Sequence, residues 1–155
     1  MAERWAASNP SSSTRVLPFA AEAAWITGKW DVLERLLNSE TGNISSDFNV
    51  GIGKALLALR QADAKHFESI VADLRVSIMG NLSPAATASL AGSHASTLKL
   101  HALYEITTIG CLEDLQADRS SLIEILDRRI ELLGAYTDDK QYLLGIRRAT
   151  MHLAG

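Results

Sequence analysis

From Phe19 onward, apolar residues recur at the three- and four-residue spacing of amphipathic helices. Phe19 to Thr27 is alanine-rich, which favours helix, and Pro18 suits a first-turn position where no amide donor is needed. Gly28 punctuates that segment. Trp30, Leu33, Leu36 and Leu37 then predict a second helix ending near Asn38, and Thr41 to Ser46 reads as a loop. Val50 to Gln61 predicts a third helix, weakened by Gly51 and Gly53. Asp63 is placed to cap a fourth, in which Phe67, Ile70, Val71, Leu74 and Ile78 form the clearest stripe in the chain. Gly80 to Pro84 stops it, and Ser83 with Pro84 opens a short helix to about Leu90. Thr97 to Ile109 follows. Ile123, Leu126, Ile130 and Leu133 mark the next helix, and Tyr142, Leu143, Ile146, Thr150 and Leu153 the last. Asp138 and Asp139 precede that last helix and Arg147 and Arg148 lie in its second half, the order that complements a helix dipole. No run alternates apolar and polar residues long enough to suggest a strand. The expected class is all-α.

Two helix pairs superpose. Placing Gly28 on Ala62 puts Leu33 on Phe67 and Leu36-Leu37 on Ile70-Val71, an offset of 34 residues, 62 minus 28. That is the tetratricopeptide period, and Gly28-Lys-Trp30-Asp31 also resembles the Gly-x-aromatic-acid turn of such pairs. A small residue at the turn would let two helices approach closely, with Trp25, Trp30, Leu33 and Phe67 filling the space beyond it. The expectation is antiparallel helical hairpins in a tetratricopeptide-like α-solenoid over 16–155, with a closed bundle as the alternative. Later helices do not hold the period. Residues 1–15, ending in Asn9-Pro-Ser-Ser-Ser-Thr14, carry no periodic apolar face and read as a flexible lead-in.

Composition narrows the class further. The chain has 155 residues, 47% hydrophobic and 21% charged, with a formal charge of −3, so disorder is disfavoured. Interspersed signs leave no basic footprint for direct nucleic-acid binding. One cysteine, Cys111, cannot make a disulfide framework. The longest apolar stretch, Val16 to Ile26, is interrupted by Glu22 and far short of a membrane span. Met1 to Trp5 lacks the apolar region of a signal peptide, so the chain reads as soluble and from a reducing compartment.

Candidate chemistry is thin. Gly51-Ile-Gly53-Lys54 falls short of a phosphate loop, because Phe48 stands at the early glycine position and Ala55 where a hydroxyl should hold magnesium. His94 and His101 are seven apart rather than three or four, so His66, His94, His101 and His152 read as packing or surface residues. Cys111 has no nucleophile turn beside it. Glu113-Asp114 and Asp138-Asp139 are adjacent, pointing apart on a helix, and read as caps or solvated faces. Arg128-Arg129 and Arg147-Arg148 read as solvated faces or carbonyl-facing ends. Trp25 and Trp30 read as packing. No catalytic, cofactor-binding or metal-ligating residue is assigned; a small helical enzyme would need two convergent titratable groups in a pocket.

Five segments occur in a telling order: AAEAAWITGKWDVLERLLN (20–38), NVGIGKALLALRQAD (49–63), LSPAATASL (82–90), LKLHALYEI (98–106) and ILDRRIELLGAYTDDKQYLLGIRRATMHL (125–153). Together they resemble part of the FAT domain of ATR-type checkpoint kinases, within the phosphatidylinositol-kinase-related protein kinases. The Glu22-Ala-Ala-Trp25…Gly28-Lys-Trp30-Asp31 run and the Leu98-Lys-Leu100-His101-Ala-Leu103-Tyr-Glu105 run are the distinctive parts. The resemblance implies a non-catalytic helical scaffold of a large nuclear serine/threonine kinase acting in DNA-damage checkpoint signalling and repair. It implies as partners the adjoining helical repeats, the kinase domain and a regulatory protein subunit, with no membrane. The family's catalytic motifs are absent from these residues, and Gly110 to Ser120 is shorter than the family pattern leads one to expect. The competing expectation is an independent tetratricopeptide-like adaptor that binds a peptide or protein partner.

Overall fold

The structure, a computed structural model, describes residues 10–39, 47–82, 89–111 and 115–154. Those residues form seven helices and no strand: α1 (Pro10–Ile26), α2 (Trp30–Asn38), α3 (Phe48–Arg60), α4 (Ala64–Asn81), α5 (Leu90–Gly110), α6 (Leu115–Glu131) and α7 (Thr137–Ala154). The expected loop at Thr41 to Ser46 and the short helix opening at Ser83 fall wholly or mostly outside the described residues.

Caps set several boundaries that apolar spacing alone misplaced. Asp47, extended at φ −69° and ψ 131°, accepts from the amides of Asn49 and Val50, so α3 starts at Phe48 rather than Val50. Asp63 caps α4 as its position predicts, accepting from His66. Ser89 accepts from Gly92 and starts α5 at Leu90, seven residues before Thr97, because the polar stretch Ser93 to Ser96 belongs to its first turns. Helix α1 begins at Pro10, and Pro18 lies inside the helix rather than in its first turn. Pro18 there has no amide to give the carbonyl four residues earlier.

Two turns are built alike. Gly28 (φ +69°) and Ala62 (φ +56°) both occupy the left-handed region. Gly28 donates to the Trp25 carbonyl and Lys29 to that of Ala24; Ala62 donates to Leu59 and Asp63 to Ala58, the same bonds 34 residues on. The reason for the small residue is conformational, not the close helix approach expected, since a Cβ on Gly28 would meet nothing within 4 Å. Close approach occurs instead in the middle of α3. A Cβ on Gly51 would lie 2.3 Å from Leu74 Cδ2 of α4, and one on Gly53 3.2 Å from Leu33 Cδ1 of α2. The glycines that thin the helix propensity of α3 therefore seat its neighbours.

Helix α1 packs on α2 and α3, and α3 on α4, as in stacked helix pairs. The last helix then departs from a nearest-neighbour stack. Helix α7 packs chiefly on α5 but also reaches α3 and α1, so the final helix lies beside the first. One apolar cluster runs through all these helices, including Trp25, Leu33, Ile52, Leu56, Phe67, Leu103, Ile106, Leu143 and Ile146. A smaller cluster joins Ile109 of α5 to Leu122 and Leu126 of α6, with Met151 and Ala154 of α7 against it. On α6 it is Leu122, not Ile123, that is buried.

Candidate functional site

The polar chemistry of the described residues concentrates on α7, which sends a side chain to each of four other helices. Near its start, Asp139 pairs with His94 Nε2 of α5, and the His94 ring lies 4.6 Å from that of Tyr136. One turn on, the Tyr142 hydroxyl donates to Asn49 Oδ1 of α3 at 2.7 Å, and Asn49 Nδ2 donates to Glu22 Oε2 of α1 at 2.9 Å. Tyr142 also meets Trp25 edge-on, with ring centroids 5.9 Å apart. Burial, reinforced by the negative charges of Glu22 and Asp47, drives the Tyr142 phenol well above its ordinary range, so it stays a donor. Burial and the nearby Asp47 carboxylate raise Glu22 in turn.

In the second half of α7, Arg147 is 6% exposed and Glu105 of α5 is 2% exposed. Arg147 donates through Nε and Nη2 to the two Glu105 oxygens, both at 2.8 Å, and through Nη1 to Asp127 Oδ1 of α6 at 2.6 Å. Desolvation alone would lower the guanidinium pKa, but the bonds and charges of Glu105 and Asp127 outweigh it and raise it. Arg148 turns the other way and donates to the carbonyl of Ile26 at 2.7 Å, capping the open C-terminal end of α1. The expectation of solvated or carbonyl-facing arginines thus fits Arg148 and fails for Arg147, which is buried and bidentate. Arg128 pairs with Glu124 on the exposed face of α6, whereas Arg129 lies with its guanidinium 3.7 Å from the Tyr104 ring centre.

Among the described residues no group of three or more His, Cys, Asp or Glu side chains converges as a metal site, and no helix is long and apolar enough to cross a membrane. Gly51, Gly53 and Lys54 lie within α3, where no phosphate loop can form. Cys111 is exposed at the end of α5. An open pocket of about 280 Å³ lies at the α1–α2 turn, lined by Lys29, Trp30, Asp31, Arg35 and Arg60 among others, with Arg60 and Asp31 paired across it at 3.5 Å.

The residues singled out for the repeat divide by burial. Trp25, Leu33 and Phe67 are core residues, Trp30 is half-buried, and Gly28 and Ala62 are exposed at their turns. The seam itself was missed in the sequence, though a signal exists. Glu105 falls on the stripe of Ala102 and Ile109, and Arg147 on that of Leu143 and Thr150, each a charge where the period demands an apolar residue.

Interhelix pairing of this kind, with Arg147 of α7 bidentate to buried Glu105 of α5, belongs to an all-helical packing module. A family model described as the FAT domain matches residues 17–154, and the chain belongs to that family. Membership makes it a helical scaffold part of a phosphatidylinositol-kinase-related protein kinase, with neighbouring domains in a larger protein. Comparison with curated proteins and with solved structures gave no significant match.

Proposed function

We propose that the chain is the FAT-domain segment of an ATR-type serine/threonine kinase, a non-catalytic scaffold serving DNA-damage checkpoint signalling and repair in the nucleus. The observation that carries the reading is the family match over 17–154. The seam supports it, because Glu22, Trp25, Glu105, Tyr142 and Arg147 all lie in the segments that resemble ATR-type kinases, and all serve packing. The partners are then the adjoining helical repeats, the kinase domain and a regulatory protein subunit, with no cofactor held by these residues. Sequencing the transcript across this region tests the reading. An open frame continuing into further helical pairs and a kinase domain is expected; an abundant transcript that stops after Gly155 without a kinase frame would overturn it.

One observation favours the second reading, an independent tetratricopeptide-like adaptor. The turns at Gly28 and Ala62 share backbone region and hydrogen bonds at a 34-residue offset. Trp25, Gly28, Trp30, Leu33, Ala62 and Phe67 would then be structural positions of a degenerate repeat. That reading requires the isolated chain to be a monomer that binds a peptide, which titration against a peptide library would reveal.

A further inference from the structure

Helix α6 is tied to the rest of the molecule differently from every other helix. Among the described residues its principal neighbours are α5 and α7, and the apolar residues of its middle, Leu122 and Leu126, belong to the small cluster around Ile109. Its C-terminal end is anchored otherwise, since Ile130 and the following Leu133 belong to the main core. Between anchor and small cluster stand two polar ties. Asp127, itself mostly exposed, bonds Arg147. Arg129 stacks on Tyr104 and points Nη2 at His101 Nδ1, 3.5 Å away, while its buried Nε has no hydrogen-bond partner.

The second tie depends on one proton. Neutral His101 offers Nδ1 as an acceptor to the guanidinium; protonated, the same nitrogen is a donor and the ring a cation beside a cation. Among the described residues, Glu105, Asp127, Glu124 and Asp139 each already have a basic partner. On its own helix, Glu105 is saturated by Arg147 and Lys99 adds positive charge. On α6, Asp127 faces Arg147 and Glu124 faces Arg128. On α7, Asp139 is taken by His94, and α4 contributes Arg75, bonded to Thr107.

We propose that α6 is a strap that detaches from α5 and α7 while the main core stays packed, and that protonation of His101 loosens it. The anchor at Ile130 and Leu133 keeps the detached segment in place for rebinding. The pair Glu105–Arg147 does not need α6 and persists when it leaves. Burial, followed by the Arg129 charge, lowers the His101 pKa below its ordinary value near 6.5. The tie is therefore complete above about pH 6.5, and it weakens as the pH falls toward and through that lowered value.

Amide hydrogen exchange on the full chain at about pH 7.5 and about pH 5.5, corrected for intrinsic rates, tests this. The protection of residues 119–129 is expected to fall about tenfold more than that of α3 and α5 on acidification, and the difference should vanish in His101→Asn, whose amide oxygen still accepts but does not titrate. Proton-coupled loss is checked in the wild type as well: the His101 ring resonances should titrate over the range in which α6 loses protection. Protection of α6 that ignores pH, that falls equally in His101→Asn, or that is lost only together with α3 and α7 would overturn the proposal. So would a His101 titration that does not track α6 exchange.

Discussion

Arg147 and Glu105 satisfy one another where little solvent reaches, and removing Arg147 leaves the buried Glu105 carboxylate without its partner. Replacing Arg147 with Met is expected to destabilise the chain by about 3–5 kcal/mol in urea unfolding, whereas the double change Glu105→Met with Arg147→Met returns to within about 1 kcal/mol of wild type or exceeds it. A single variant as stable as the wild type would mean the pair is solvated. Glu22 behaves in the opposite sense, because its carboxylate is the form that the fold disfavours. Its raised pKa means its contribution is full below about pH 4.5 and lost as the pH climbs through the folded value. Glu22→Gln, which can still accept from Asn49, should therefore raise the urea midpoint at neutral pH and lose that advantage in acid. A lower midpoint at pH 7, or an advantage unchanged by pH, would refute the assignment. At this scale the sequence was legible where local chemistry decides, as at the Asp63 cap and the Gly28 turn. It was opaque at Arg147, because its partners stand 42 and 20 residues away and a charged doublet looks alike on a wet or a dry face.

The helices themselves were legible wherever one face is buried and the other wet, as in α4, whose Phe67, Val71, Leu74 and Ile78 are all buried. The starts of α3 and α5 were not, because capping by Asp47 and Ser89 competes with apolar spacing as a boundary signal. Glycines inside helices separate two physical roles. Gly80 of α4 has open space around it, so Gly80→Ala should stabilise the chain by up to about 1 kcal/mol through helix propensity. Gly51→Ala earns the same propensity but drives its Cβ onto buried Leu74, and overpacking of about 1–3 kcal/mol makes it a net loss. Thermal unfolding of the two variants should shift in opposite directions; equal upward shifts would show that Leu74 moves aside freely.

For the molecule as a whole, the all-α class of the described residues followed from periodicity, but the order of packing did not. Nothing in the spacing of Tyr142, Leu143 and Ile146 says that they sit beside Asn49, Trp25 and Glu22 on helices about a hundred residues earlier. Yet that return of α7 decides how the chain behaves as a unit. In a strictly sequential stack the terminal helix could be removed at the cost of its own interface alone. Here it joins α1, α3, α5 and α6 through the seam of Asp139, Tyr142, Arg147 and Arg148, which makes it the clasp of the scaffold. Urea unfolding of a chain ending at Tyr136, followed by tryptophan fluorescence and far-ultraviolet circular dichroism together, measures this directly. The clasp predicts loss of the cooperative transition and exposure of Trp25 without denaturant. A truncated chain that keeps a sharp, coincident transition with Trp25 still shielded would contradict it.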